Sequence, residues 1–558
     1  MFELNLVFRN FIIVFFITIL SGYSQDTTLI KVSNDESAPT ISKHVYGHFT
    51  EHLGRCIYDG IYVGTDSNVP NTNGMRNDII KALKDLKTPN LRWPGGCFAD
   101  EYHWKDGIGP KSQRPNILNT HWGQVEEDNS FGTHEFLQLC ELLETEPYLA
   151  GNVGSGTVEE LNDWVEYCNY DGKTAMANLR KSNGQDKPWR VKYWGIGNES
   201  WGCGGNMTPE YFANLYRQYA TYARDYSGTS IKRIASGADA DNYHWTEVMM
   251  RDVPHTMMWG LSVHYYTRTG WPPTGSATKF DESEYFLFMK HCLHMNEILD
   301  KHMAIMDKYD PEKKVALVVD EWGSWYDVEE GTNPGFAYQQ NTMKDAMIAG
   351  VTLNIFNTRV DRIKMANLAQ AVNVLQAAIL TEGEKMLLTP TYHVMKMYAA
   401  HQDAQLLPLS FESPKYTLNG ASLPAISASA SKKDGAVNIS LVNIDSEKEN
   451  EVELDLSALK IKDFTGTILA SDKLQDHNTF DNPDKIKTKE FKNFKFKKGI
   501  NVKEINLENG TLPSNIVITK EDTSKPISLQ IEFVGIAIET QFGNKYKEGE
   551  TFLVKWKD

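Results

Sequence analysis

Between His44 and about Leu388, short apolar runs alternate with stretches of helical period, the pattern of βα units that close into a barrel of parallel strands. The runs predict eight strands, at 44–50, 89–94, 146–152, 191–197, 233–238, 260–266, 315–320 and 363–369. Between them the pattern predicts helices such as 76–87, 209–226 and 336–357. The second of these has Thr208 as its cap, Pro209 in its first turn and Gly228 just past its end. After Tyr398 the period drops to two. Segments 424–430, 436–443 and 450–456 alternate apolar with polar positions and are split by turn-forming residues, which predicts antiparallel β-structure packed as a sandwich. Residues 28–32 (TLIKV) are strand-like and are expected to join that sandwich. The fold class is therefore α/β: a (β/α)8 TIM barrel with a C-terminal antiparallel, jelly-roll-like β-sandwich. The expected divisions are 1–24, 25–43 with the N-terminal strand, 44–388 for the barrel, and 389–558 for the sandwich with an extra tail.

Two of the predicted strands end alike. The run VKYWGIGNESW (191–201) stops at Asn198-Glu199 beside Trp201. The run KKVALVVDEWGSW (313–325) stops at Asp320-Glu321 beside Trp322 and Trp325. About three βα units separate the two glutamates, so they are expected to face each other across the barrel mouth, where barrels of this kind carry their chemistry. The plain alternative, that each carboxylate caps a helix or pairs with an arginine, fits one such strand end better than two matched ones. Other polar groups fall at the same rim. Glu51 and His52 follow the first strand, Arg92 and Cys97 flank RWPGGC, His264 and Tyr266 end the sixth, and Asn367 and Gln370 end the eighth.

Composition narrows the partners. A formal net charge of −16 over 558 residues argues against nucleic acid and fits an uncharged substrate. At the N-terminus, Arg9 precedes an apolar run from Phe11 to Leu20, with Gly22 and Ser24 ahead of Gln25. This reads as a secretory signal peptide over 1–24 and predicts export to the periplasm or the medium, with no membrane span left in the mature chain. Six cysteines (Cys56, Cys97, Cys140, Cys168, Cys203 and Cys292) show no metal-ribbon spacing, and most are read as buried free thiols. Lysines from Lys485 to Lys498 around Phe491, Phe494 and Phe496 read as a charged edge strand rather than a binding face.

Two glutamates ringed by tryptophan and tyrosine suit glycosidic cleavage. One carboxylic acid protonates the departing oxygen while the other carboxylate attacks the anomeric carbon or activates water. Two rivals belong to other classes. His48-Phe49-Thr50-Glu51-His52 fits the HxxEH pattern of a zinc peptidase, which requires a helix to bring its histidines together. The tryptophans and the sandwich would also suit a non-catalytic glycan-binding protein.

The stretches GHFTEHLGR (47–55), RWPGGCFADEYHWKDGIGP (92–110), WGIGNESWGCGG (194–205), SVHYYT (262–267), VDEWGSWY (319–326) and MANLAQAVNVLQ (365–376), in this order, resemble glycoside hydrolase family 51, the α-L-arabinofuranosidases. The resemblance covers roughly residues 30–515. It implies a retaining, exo-acting enzyme that needs no cofactor or metal and removes terminal L-arabinofuranose from arabinan, arabinoxylan or arabino-oligosaccharides. By motif, Glu199 resembles the acid/base and Glu321 the nucleophile. Glu51, Cys97, Asn198, Tyr266 and Gln370 resemble residues of the arabinose subsite, Trp122 and Trp325 resemble aromatics near the leaving group, and His264 stands beside Tyr266 at the same rim. The resemblance also implies a homo-oligomer. An endo-glucanase or a β-xylosidase is the alternative on the same machinery.

Overall fold

The computed structural model describes residues 27–272, 274–459, 461–491 and 527–534. Eight parallel strands close into a barrel in chain order: β1 (Gly47–Phe49), β2 (Asn90–Trp93), β3 (Glu146–Gly151), β4 (Tyr193–Ile196), β5 (Lys232–Asp239), β6 (Gly260–Thr267), β7 (Ala316–Ser324) and β8 (Ile363–Ala369). The (β/α)8 architecture and all eight strand positions are as the apolar pattern predicts. The deviations have local causes. Residues Lys43–Tyr46 form a 3-10 turn instead of the start of β1, because the Ser42 hydroxyl accepts from the His44 amide and winds the chain. β7 runs on to Ser324, so Glu321 sits inside the strand rather than at its tip.

Inside the barrel, Tyr148, Tyr193, Ile234, Ala316, Val318 and Met365 pack into a plug with Trp259 against them. This closes the end opposite the chemistry and leaves only the other rim open. The helix Pro209–Tyr222 starts as predicted, with the Thr208 hydroxyl accepting from the Tyr211 amide, and stops a turn early. The helix predicted from residue 336 begins later, at Met343. Thr342 and Asp345 form a capping box there, and Pro334–Phe336 is a separate 3-10 turn. This helix, Met343–Asn357, is buried along its whole length. It is covered by the barrel on one side and by the second layer on the other, so it lacks the polar face of a surface helix.

The second layer is built of two sheets. One contains Thr28–Val32 between Leu409–Ser410 and Val452–Asp455. The other holds, among its strands, Ile426–Lys433, Ala436–Asn443, Ile461–Leu469 and Ile527–Val534. The last of these lies in the middle, parallel to Ala436–Asn443 on one side and to Ile461–Leu469 on the other. Lys489–Phe491 is an edge strand of that sheet, while 492–498 falls outside the described residues, as does the apolar run 11–20.

A central strand from so late in the chain makes a prediction. A chain ending at residue 520 removes Ile527–Val534 and splits the sheet, leaving Ala436–Asn443 and Ile461–Leu469 each with one unpaired edge. It should be insoluble or unfold several degrees lower by thermal scanning. Unfolding at the full-length temperature would show that this strand is not part of the cooperative fold.

Candidate active site

β1 ends at Phe49. The Thr50 amide donates to the Arg92 carbonyl at 2.9 Å, which turns Glu51 inward, where it is 2% exposed. β2 carries Arg92 toward the barrel axis and ends in Pro94-Gly95-Gly96. A Cβ on Gly95 would lie 2.9 Å from Glu51 Oε1, and one on Gly96 would lie 2.8 Å from Glu321 Oε1. Glycine is needed here because the backbone passes directly against two carboxylates. The Gly96 and Phe98 amides donate to Glu51 Oε1 at 3.0 and 3.2 Å, the Trp122 indole at 2.9 Å, and Gln370 Nε2 donates to Oε2 at 3.1 Å.

After β4 the chain turns through Gly197 (φ 79°) and Glu199 (φ 39°), a left-handed conformation uncommon for a glutamate. The turn is held on both sides. Asp100 Oδ2 accepts from the Asn198 amide at 2.9 Å, and the Ser200 amide donates to Ser236 Oγ at 3.1 Å. Burial pushes the Asp100 carboxyl up to about 7, against three amide hydrogen bonds that favour its charge.

On β7 two consecutive acids, Asp320 and Glu321, both reach the barrel interior, although neighbours on a regular strand point to opposite faces. The ladder is irregular on both sides, shifting between Ser262 and His264 of β6 and again between Val319 and Trp322 of β7. Tyr148 donates to Asp320 Oδ2 at 2.7 Å. Arg92 Nη1 donates to Glu321 Oε1 at 2.7 Å, and the Tyr266 hydroxyl donates to Oε2 at 2.8 Å.

His264 links the two ends of the site, with Nδ1 2.9 Å from Glu199 Oε1 and Nε2 3.1 Å from Asp320 Oδ1. One ligand atom each from Glu199, His264 and Glu321 lie within 4.8 Å of one another. Burial raises the Glu199 carboxyl above its usual value, with His264 opposing and the Glu321 charge adding to the rise. Burial alone would strip His264 of its proton, but Glu321, Asp320 and Glu199 together outweigh it and hold the ring well above the normal imidazole range. Asp320 is also buried, yet Arg92 and then His264 keep it below the ordinary carboxylate value. Burial, reinforced by Glu321, lifts Glu51 to about 7. The site thus combines carboxyls that hold their protons with one that gives its proton up readily.

A cavity of about 570 Å³ opens over this cluster. Glu51, Cys97, Glu199, Tyr266, Glu321, Gln370, Trp122 and Trp325 line it together. Asn198 and His264 sit immediately behind its wall, Asn198 Oδ1 accepting from Arg92 Nη2 at 2.7 Å. Two of the rim residues named from sequence lie elsewhere. Asn367 donates to the His48 carbonyl and to Asn90 Oδ1 beneath the site, and His52 is stacked on Phe98 with Nδ1 3.4 Å from Glu127. The HxxEH segment is strand and turn rather than helix, so its histidines lack the spacing of a peptidase zinc site. Sequence reasoning gave no role to Asp320, Trp201, Asp239, Arg268 or Trp271, and treated Arg92 only as a rim group. The DE pair before Trp322 and the RWPGGC turn were the available signals.

Cys97 and Cys203 form a disulfide across 106 residues of chain, on the cavity wall, while Cys56, Cys140, Cys168 and Cys292 are buried free thiols as read. The bond ties the glycine turn after β2 to the loop after β4, and Cys203 Sγ lies 3.6 Å from Glu199 Oε2. Glu199, His264 and Glu321 have the donor types of a metal site, with the two nitrogens of His264 engaged by Glu199 and Asp320, and Cys97 and Cys203 beside them are joined as a disulfide.

Residues 82–284 match the family description "Alpha-L-arabinofuranosidase 1 domain", and residues 320–508 match "Alpha-L-arabinofuranosidase C-terminal domain". A Bacteroides ovatus protein named intracellular exo-alpha-L-arabinofuranosidase is 53% identical over 502 residues, which are 89% of this chain and 96% of the relative. Alpha-L-arabinofuranosidase C of Emericella nidulans is 33% identical over 470 residues, 79% of this chain and 90% of the relative. Among solved structures, the GH51 arabinofuranosidase of Xanthomonas axonopodis pv. citri superposes with a TM-score of 0.82 at 49% identity, covering 84% of this chain and 95% of its own. The Thermotoga maritima alpha-L-arabinofuranosidase arabinose complex gives 0.71 at 32% identity, with coverage of 83% and 95%. The expectation of export is corrected by these comparisons. The Bacteroides relative is named intracellular, and the apolar run that suggested export lies outside the described residues. Among the described residues no helix is long and apolar enough to cross a membrane.

Arg92 is 1% exposed and faces Asp320 and Glu321, so its removal leaves buried acids without their cation. Arg92→Met should cost about 3–5 kcal/mol of unfolding free energy, seen as a lower urea midpoint at unchanged slope. A wild-type midpoint would mean that the guanidinium does not offset the burial of those acids.

Proposed function

The chain belongs to the α-L-arabinofuranosidases of glycoside hydrolase family 51, and on that premise we propose that it is an exo-acting enzyme releasing terminal L-arabinofuranose by double displacement, with Glu321 as nucleophile and Glu199 as acid and base. The observation that carries the mechanism is the spacing. Carboxylate oxygens of Glu199 and Glu321 lie within 4.8 Å. So close an approach supports a retaining pair, whose carboxyls stand roughly 5–5.5 Å apart, over an inverting pair, whose roughly 6.5–9.5 Å leaves room for an attacking water.

The environments support the division of labour. Arg92 and Tyr266 donate to the two oxygens of Glu321 and aim the carboxylate into the cavity. Glu199 is 19% exposed by its side chain, at the cavity wall, and burial favours its protonated form. In the first step Glu321 attacks the anomeric carbon, the glycosidic bond breaks, and Glu199 delivers its proton to the departing oxygen. In the second, Glu199 takes a proton from water as the water displaces Glu321 from the sugar. Consumption of the Glu321 charge in the intermediate removes one cause of the raised Glu199 value, so Glu199 becomes a better acceptor when a base is required. Glu51 and Gln370, buried at the inner wall, are placed to bind hydroxyls of a terminal furanose, and Trp122 donates to Glu51 and fixes it.

The substrate class proposed is arabinan, arabinoxylan or arabino-oligosaccharides, which would place the enzyme in hemicellulose breakdown. The homo-oligomer is proposed on the family resemblance alone, and sedimentation tests it. Hydrolysis of a chromogenic arabinofuranoside, against a panel of aryl glucosides and xylosides, tests the activity. Preference for the xyloside or glucoside would select the alternative reading.

Glu321→Ala should abolish turnover of every substrate, and azide should restore part of it by forming the inverted glycosyl azide. More than about a hundredth of the wild-type rate without added nucleophile would mean that another group attacks. Glu199→Ala should divide substrates by leaving group. A dinitrophenyl arabinofuranoside, which departs without a proton, should lose little in its first step and show a burst, whereas a sugar leaving group should lose about 10²–10⁴-fold. Because the raised Glu199 value keeps the acid form to higher pH, the alkaline limb of wild-type kcat/KM should follow its deprotonation and disappear in the variant. Equal losses on both substrates with that limb retained would put the proton donor elsewhere.

A further inference from the structure

A buried carboxyl beside the site takes no part in the two proton transfers. Asp100 closes the 3-10 turn Cys97–Asp100, which follows the Gly95-Gly96 corner, and is 4% exposed. It stands outside the cavity lining, yet three backbone amides converge on it. Oδ1 accepts from Val153 at 2.7 Å and from Gly154 at 2.8 Å, and Oδ2 accepts from Asn198 at 2.9 Å. The loops after β2, β3 and β4 thus meet at one carboxyl. Its own backbone is anchored as well. The Asp100 carbonyl accepts from the Ser155 amide at 3.1 Å and from the Ser155 hydroxyl at 2.9 Å, and Cys97 opens the same turn with its disulfide to Cys203.

The two oxygens serve different loops. Oδ1 staples the loop after β3, which carries neither of the paired glutamates. Oδ2 holds the amide of the residue directly before Glu199, where the chain enters the left-handed backbone at φ 39°. That conformation is unfavourable for a glutamate and persists only where its surroundings impose it. Three donors with no acceptor among them match a carboxylate, which accepts from an amide more strongly than a neutral oxygen does. Asp100 therefore stands at the base of the turn whose far end carries Glu199.

We propose that Asp100 is a positioning residue for the acid and base, fixing through the Asn198 amide the left-handed turn that aims the Glu199 carboxyl at the glycosidic oxygen. It touches no reacting atom. The inference rests on the assignment of Glu199 above and adds to it the group that sets its reach. Asp100→Asn is the informative change, because the amide keeps the shape of the carboxylate but has a single acceptor oxygen. Turned to keep the Val153 and Gly154 bonds, it sets its NH2 against the Asn198 N–H, so the bond that is lost is the one behind Glu199.

The test compares kcat/KM on α-1,5-linked arabinobiose, whose leaving group needs a proton, with that on a dinitrophenyl arabinofuranoside, whose leaving group does not. Asp100→Asn should lower the first about 10- to 100-fold, the cost of a misplaced catalytic group, and the second by no more than about threefold. On the dinitrophenyl substrate kcat also needs the base, so it should fall in Asp100→Asn. The double variant with Glu199→Ala should be no slower there than Glu199→Ala alone, since Asp100 acts through that side chain. Ser236→Ala frees the Ser200 amide across the same turn, leaves Asp100 in place, and should show the same split between substrates. Proportional losses on both substrates in Asp100→Asn, or a double variant slower by the full Asp100→Asn factor, would reduce Asp100 to a fold staple and overturn the proposal. Should Asp100→Asn fail to fold by thermal scanning, a proportional loss in Ser236→Ala overturns it instead. A Glu199→Ala variant without the split would sink the acid assignment and this inference with it, and a wild type that cleaves neither substrate would sink the proposed activity.

Discussion

The site depends on one buried cation. Arg92 joins three strands at their C-terminal ends, donating at 2.7 Å to Glu321 of β7 and at 2.7 Å to Asn198 beyond β4, and lying 3.7 Å from Asp320. Its guanidinium carbon also rests 4.5 Å from the Phe49 ring centroid of β1 and 5.8 Å from that of Tyr148. Four carboxyls gathered in a barrel mouth would repel one another and suffer the loss of water. A planar donor with five N–H groups satisfies several at once from a fixed position.

That single charge also makes the acids unequal. Asp320, which meets both Arg92 and His264, is held below the usual carboxylate range, whereas Glu51 and Glu199, neither of them hydrogen-bonded to the guanidinium, are driven up by burial. His264 carries the inequality across the site, touching Asp320 with one nitrogen and Glu199 with the other. A reaction that alternates proton donation and acceptance at one carboxyl needs this gradient more than it needs any one pKa.

Farther out, rigidity comes from cross-links between loops. The Cys97–Cys203 disulfide fixes the Gly95-Gly96 turn relative to Glu199, and the Gly275–Asp327 pair fixes the aromatic edge relative to Glu321. Behind the barrel, Met343–Asn357 is locked between layers. Asn357 accepts from the Tyr46 hydroxyl at 2.6 Å and donates to Ser429 at 3.1 Å. Precise placement of the reacting groups is thus supported from below as well as from the rim.

The amino-acid sequence alone determined the barrel, the two glutamates and most of the cavity wall. Strands declare themselves by apolar runs of the right length, caps by Thr208 and Pro209, and a site by carboxylates at strand ends, all properties of neighbours along the chain. Only the tertiary structure decided the rest. Cysteine spacing carries no record of which pairs meet across 106 residues, and a strict alternation would have turned Asp320 or Glu321 away from the axis. The strand at Ile527–Val534, the start of the helix at Met343 rather than 336, and the alignment of Trp271 with Trp325 depend equally on distant partners. Closing the barrel brings residues far apart in sequence within hydrogen-bond reach, and the register shifts beside β7 that aim both acids inward are a property of the closed sheet, not of any one segment.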